Sequence, residues 1–200
     1  MINKKALLVV ASALVTALIL SGLAVTQTAR SEGQTQANPD IRIFLQIDTI
    51  PGESIDENHQ GWIDIESFNW SEAMASIGDG GGRAAGKVSM ADFHFAMRTN
   101  KASPKLFLAV ATGKHIAHAE LDCCTSGGEV SSPLEFLEFK FEDVTITFYS
   151  IAGSTPDYRP LDKFSIAFGK ITMTYWPIME DGTRGAAVTA YYDLRTNRGG

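Results

Sequence analysis

Residues 137–148 read LEFKFEDVTITF, and their alternation decides the fold class. Leu137, Phe139 and Phe141 alternate with Glu138, Lys140 and Glu142. A period of two belongs to a strand with one apolar and one solvated face. After Asp143 the apolar phase flips to Val144, Ile146 and Phe148. A slip of one residue sends every later side chain to the other face, so the flip marks a bulge or bend. The same event recurs downstream. Phe164, Ile166 and Phe168 share one phase, which flips after Gly169-Lys170 to Ile171, Met173 and Tyr175. Long strands that change phase midway are expected of a coiled sheet turning around a closed barrel.

Working outward, Ile41, Ile43, Leu45 and Ile47 alternate with Arg42, Phe44, Gln46 and Asp48, and Pro51-Gly52 ends that strand. Residues 62–70 form a second strand whose phase moves from Ile63/Ile65 to Phe68/Trp70. Val88–Met97 form a third, with Phe93, Phe95 and Met97 on one face, and Glu120–Cys124 a short fourth. Val188, Ala190, Tyr192 and Leu194 mark the last. One helix is signalled: Ser103 can cap it, Pro104 takes its first position, Leu106, Ala109 and Val110 form its stripe, and Gly113 ends it. These elements predict a mainly β fold, a closed antiparallel β-barrel with one short flanking α-helix, over residues 41–200. No internal repeat at a solenoid period is present.

The first 40 residues are of another kind. Lys4 and Lys5 precede Ala6–Val25, twenty residues without a charge. A basic start, an apolar stretch and small residues near its end read as a secretory signal, with Gly22 and Ala24 suited to cleavage after Ala24. The competing reading is an uncleaved anchor, because about twenty apolar residues suffice to cross a bilayer. Residues 1–25 are thus a signal peptide or signal anchor whose contact is with membrane, and residues 26–40, polar and without period, a flexible linker. Either way the domain is exported: secreted, periplasmic or at the cell surface, and membrane-anchored if the signal stays uncleaved.

The formal charge is −6, from 17 basic and 23 acidic residues. Cleavage would remove two lysines and no acid, leaving 15 against 23, or −8. A nucleic-acid partner needs a basic face and is excluded on that ground. Two cysteines cannot build a disulfide scaffold or a zinc ribbon.

Few motifs suggest chemistry. Gly81 to Lys87 has the G-x-x-x-x-G-K spacing of a phosphate-binding loop, but Val88 stands where a hydroxyl must hold magnesium, and a strand follows where a helix is needed. The plainer reading is a long glycine-rich loop, Ser71–Lys87. His115 and His118 lack a third ligand by spacing and read as surface or turn histidines. His94 lies on the face opposite Phe93 and Phe95, and His59 in a polar turn. Cys123 and Cys124 are adjacent on a strand and so point to opposite faces, one into the core and one exposed. The exposed thiol is a candidate for oxidation or for cross-linking subunits. The scattered acids Asp64, Glu66, Glu135, Glu138, Glu142 and Asp143 read as a solvated face. No cofactor, metal centre or catalytic constellation is expected.

The order of segments resembles the haemolysin-coregulated protein (Hcp) family, the tube proteins of type VI secretion systems. Phe44–Asp48, Ile50–Ser54 and Ile63–Trp70 match its opening strands. Gly80–Lys87, Ser103–Leu106, Gly113–Ile116, Gly127–Glu129, Glu142–Val144, Arg159-Pro160 and Phe164–Ile171 follow in order, so the likeness spans about residues 43–198. It implies a non-enzymatic homohexameric ring that stacks into a hollow tube, with a contractile sheath, a spike protein and effector proteins as partners. The loop bearing Ile77, Gly80, Gly81, Gly82, Arg83, Gly86 and Lys87 would then reach the next ring. Two features stand beside the likeness. Typical members carry no export signal, and Leu194–Gly200 end with the barrel, so no fused toxin domain is expected. The rival reading is an exported monomeric or oligomeric β-barrel that binds a ligand and has no tube role.

Overall fold

The computed structural model describes residues 41–74, 88–126 and 133–200. In chain order they form β1 (Ile41–Ile47), β2 (Ile63–Ile65), β3 (Ser67–Asn69), β4 (Glu72–Met74), β5 (Val88–Met90), β6 (Phe93–Arg98), α1 (Ser103–Thr112), β7 (His115–Ser126), β8 (Pro133–Ala152), β9 (Leu161–Ala167), β10 (Lys170–Tyr175), β11 (Val188–Asp193) and β12 (Arg198–Gly199). The fold is mainly β with one short helix. Every ladder is antiparallel. One ten-stranded sheet runs β12-β11-β10-β8-β7-β1-β2, with β9 bonded to β8, β6 to β9 and β3 to β6, while β4 and β5 pair apart from it.

Both phase flips in the sequence are one feature of this sheet. β8 is continuous over 20 residues. Its residues Leu137–Glu142 bond β10, and Thr145–Ala152 bond β9. The exchange occurs at Asp143, whose φ is +56°. Facing it, Gly169 separates β9 from β10, and a Cβ there would stand 2.8 Å from Asp143 Cβ. The Gly169 amide donates to the Glu142 carbonyl at 2.9 Å, and its own carbonyl accepts from Leu194 N at 2.9 Å. Arg195 bonds the Asp143 carboxylate over the corner.

The second expected strand divides for a similar reason. β2 pairs with β1 and β3 with β6, and the break falls at Glu66, whose amide donates to Ala96 O at 2.8 Å. The third divides at Ala91-Asp92 into β5 and β6. β7 begins at His115, five residues before the strand read from sequence, and carries both of its histidines in the ladder with β8.

The core is aromatic. Phe93 is fully buried, with Phe141, Phe95 and Phe139 ring centroids 5.1, 5.2 and 5.3 Å away. Burying each such ring contributes about 1.5–3 kcal/mol. Leu106 and Ala109 of α1 close one side of this core, and Gly113 ends the helix at φ +60°, as its sequence position implies.

The helix start differs from expectation. Ala102, not Ser103, is the N-cap, and no side chain caps it. Ala102 already has helical dihedrals, which places Ser103 inside the first turn. The Ser103 hydroxyl instead donates to Asp162, a wholly buried carboxylate that also accepts from Thr99 Oγ1 at 2.7 Å and Tyr149 OH at 3.0 Å. Three hydroxyls thus tie α1 to β8 and β9.

Residues 52–62 fold back over the outer face of β1. Gly52 N donates to Gly61 O at 2.7 Å, Gly61 N to Ser54 O at 2.8 Å, and Ser54 N to Trp62 O at 3.0 Å. Beneath this flap Phe44 is fully buried, although it lies on the polar phase of its strand. Among the described residues, no helix is long and apolar enough to cross a membrane.

Candidate assembly site

The loop residues singled out from sequence, Ile77, Gly80, Gly81, Gly82, Arg83, Gly86 and Lys87, lie outside the described residues, as does the phosphate-loop spacing they contain. Its root is described. β4 and β5 form a two-stranded ribbon whose last pair is Met74 with Val88. Ala91 N donates to Ser71 O at 3.0 Å and Trp70 Nε1 to Ala91 O at 3.1 Å, which fixes the ribbon to the sheet. Trp70 itself stacks on Phe93, with centroids 5.9 Å apart and planes 11° from parallel. Every side chain of β4 is exposed, including Met74 at 66%. A firmly rooted ribbon whose β4 strand buries no side chain in its own subunit presents those side chains to something else.

Beside that root runs an apolar groove of about 260 Å³, lined among others by Trp70, Met90, Ile171, Met173, Ala190 and Tyr192. It continues onto the β10–β11 face, where Met173, Tyr175 and Val188 are exposed at 43%, 44% and 65%. Every residue of β11 is exposed or half-buried. Isolated exposed apolar residues are ordinary on any surface, but a groove continuous with an uncovered strand face marks an interaction surface.

The thiols correct an expectation. Cys123 and Cys124 are both buried, at 2% and 1% exposure. The register of β7 on β8 shifts between them, and Phe136 is the unpaired extra residue. The outward thiol of Cys124 is covered instead of solvated. Burial, with the negative charge of Asp122 adding to it, pushes both thiols up to about 12. An accessible cross-linking thiol is therefore not a property of this subunit.

His115 and His118 are exposed, as expected. They pair with different carboxylates, Asp143 at 3.0 Å and Asp48 at 3.2 Å, and do not converge on a shared ligand. His94 is also exposed and bonds Ser165.

His59 is not in a solvated turn. It is 5% exposed and stacks on Phe44 with centroids 4.2 Å apart and planes 3° from parallel. Its Nδ1 lies 2.8 Å from Asp56 Oδ1, and its Nε2 lies 3.1 Å from Asp122 Oδ2. Arg42 completes the chain with a 2.8 Å bond to Asp56 Oδ2. Burial pushes Asp56 up, but the bond from His59, the Asn58 amide and the Arg42 charge together hold it below its ordinary value. Asp122 goes the other way: burial, then the charges of Glu135 and Glu120, push it up to about 7. Burial also raises Glu120, with Lys140 opposing and Glu138 adding to the shift. The sequence signal for this cluster was Phe44, a large apolar side chain on an otherwise polar strand face, which requires a cover.

The His94 Nδ1 and Ser165 Oγ pair, 2.5 Å apart, places a base beside a hydroxyl, but Ser165 is buried at 2% exposure and out of reach of a substrate, so the family comparison carries the functional reading. The family model described as "Type VI secretion system effector, Hcp" matches residues 44–175. The chain belongs to the Hcp family. Protein hcp1 of Pseudomonas aeruginosa is 30% identical over 159 residues, covering 78% of this chain and 97% of that protein. A solved type six secretion system protein superposes with a TM-score of 0.76 at 26% identity, covering 80% of this chain and all of the other. Hcp1 from Salmonella typhimurium gives 0.65 at 30% identity, covering 80% and 98%. This Hcp-family chain is accordingly a structural tube protein of type VI secretion and not an enzyme.

Proposed function

We propose that the domain from residue 41 onward forms six-membered rings that stack into a hollow tube able to carry effector proteins. The observation carrying this is the uncovered apolar face of β10 and β11 with its groove, beside the rooted ribbon that supports the loop 75–87. An apolar strand face left open in one subunit is the kind of surface that ring neighbours cover. The ribbon roots the loop at Met74 and Val88, and the family resemblance gives that loop the contact with the next ring. A closed barrel is supported by the ladders β8-β7-β1-β2 and β3-β6-β9-β8, which leave only the covalent turn at Glu66 between β2 and β3. The spike, the sheath and effector cargo are the partners this role requires.

Export rests on Lys4, Lys5 and the uncharged Ala6–Val25, all of which precede the family match that starts at residue 44. The apolar segment partitions into the translocon and bilayer while the lysines hold its N-terminus inside, and the mature chain begins near Val25 unless the segment stays as an anchor. Electron microscopy of the purified protein tests the assembly: six-membered rings are expected, and a monomer alone at high concentration overturns it. Deleting Gly80–Arg83 should leave rings intact and abolish filaments. Mass spectrometry of the native N-terminus tests export, and an intact Met1 in a soluble cytoplasmic fraction overturns it.

A further inference from the structure

Three carboxylates meet on the outer face of β7 and β8. Glu120 and Asp122 are two apart on β7, and Glu138 stands opposite Asp122 in the ladder. One carboxylate oxygen from each lies within 4.8 Å of the others. Lys140 is the counter-charge, 2.7 Å from Glu138 and 3.5 Å from Glu120. That pair of contacts explains two of the three acids and leaves Asp122 out. Asp122 is 5% exposed; His59 engages its Oδ2, and its Oδ1 has no hydrogen-bond partner among the described residues. A buried carboxylate oxygen without a donor is rare in folded proteins and calls for an occupant.

We propose that Glu120, Asp122 and Glu138 bind a calcium ion, with Asp122 Oδ1 as the inner ligand. The donor set is all oxygen and mostly anionic, which suits a hard cation and not zinc or copper. Coordination habit selects between the hard cations. Calcium accepts an irregular shell of six to eight oxygens, whereas magnesium demands near-ideal octahedral geometry and gives up its waters reluctantly, so it is served poorly by three carboxylates crowded on two neighbouring strands. Two of the ligands are glutamates, whose longer side chains adapt to an irregular sphere. A cleft of about 190 Å³ lined by Gln46, Asp48, His118, Glu120, Lys140 and Glu142 borders the cluster at Glu120 and is its entrance in this proposal. Lys140, half-exposed, stands at this entrance and swings out as the ion enters. Behind the site, the Arg42–Asp56–His59 chain holds Asp122 in place, as outer partners orient metal ligands elsewhere.

The test is calorimetric titration of calcium chloride into chelator-treated full-length protein, with magnesium chloride in parallel and a thermal melt at each endpoint. One saturable site is expected, at least tenfold tighter for calcium than for magnesium, with a rise in melting temperature. Asp122→Asn keeps an acceptor for His59 and should lose the site. Glu138→Gln, on β8, should weaken it more than tenfold. Lys140→Met removes the competing ammonium and should tighten it severalfold. No heat and no melt shift at about 5 mM calcium, above the range of weak extracellular sites, overturns the proposal. Binding unchanged in both Asp122→Asn and Glu138→Gln overturns it equally.

Discussion

Replacing Gly52 by alanine should detach the flap from β1. A Cβ at residue 52 would stand 2.1 Å from Trp62 O and 2.5 Å from Ile63 Cα, both backbone atoms that cannot rotate away. Relief requires the two segments to part by more than an ångström. That movement lengthens all three backbone bonds joining Gly52, Ser54, Gly61 and Trp62. At about 1 kcal/mol net for each, the loss is about 3 kcal/mol. Partial uncovering of Phe44 adds roughly 1–2 kcal/mol, since full exposure of a buried Phe costs about 1.5–3. The expected total is about 4–5 kcal/mol. With a urea slope of about 2 kcal/mol/M, the unfolding midpoint falls by roughly 2 M. Trp62 reports the event by fluorescence, because its ring sits edge-on to His59 at 4.9 Å. Gly61→Ala is the internal control. Gly61 has φ +77°, and a Cβ added there would meet nothing within 4 Å, so only backbone strain of about 1–2 kcal/mol is added. Equal midpoint shifts for the two variants would refute the steric argument.

Cys123 and Cys124 should resist a thiol reagent at pH 8 in the folded protein and react in urea; rapid labelling of either in the folded state contradicts their burial. Asp122 is pushed from 3.8 up to about 7, so between those values the native state binds more protons than the unfolded chain. Its contribution to stability in calcium-free buffer is therefore present below pH 4 and lost as pH rises through 7, and Asp122→Asn should flatten that fall; an unchanged slope in the variant counts against it. Asp162→Asn should cost about 2–4 kcal/mol in urea unfolding, because Oδ2 accepts from both Ser103 and Tyr149 and an amide cannot accept at both oxygen positions. Thr99→Val should cost about 1 kcal/mol, and the reverse ranking would remove Asp162 as the centre of that network.

Strand structure over residues 137–148 and 164–175 is legible because alternation is a local property that burial on one face enforces. The sequence also marks where β8 changes partner, through Asp143 and Gly169, although not which strand replaces which. Pairing is decided by residues far apart, and Gly169 gives no sign of its distance from Asp143. The His59 cluster is hidden for the same reason: Asp122 is 63 positions away. A run such as Ser54-Ile55-Asp56-Glu57-Asn58-His59 looks like a solvated turn whether or not it covers a strand. The burial of Cys124 is not legible because strand alternation assigns a face but cannot say whether that face is open to water. The cap falls one residue before Ser103, within the usual slack of helix boundaries. The assembly surface is half legible. The glycine loop stands out by composition, whereas Met173, Tyr175 and Val188 look like ordinary core positions until the structure leaves them uncovered.

The exchange of partners along β8 has a mechanical side. A strand zipped to one neighbour along one edge opens a bond at a time when its end is pulled sideways. β8 is instead bonded to β7 on one edge, and to β10 and then β9 on the other. A pull along its axis loads those ladders in parallel, so many hydrogen bonds must yield together. The Asp143–Gly169 corner lets the sheet curve without cutting that strand in two. A thrust along β8 would meet one continuous strut, and a force across the sheet would act first on the short ladders either side of Glu66, β1 with β2 and β3 with β6, each of three residue pairs.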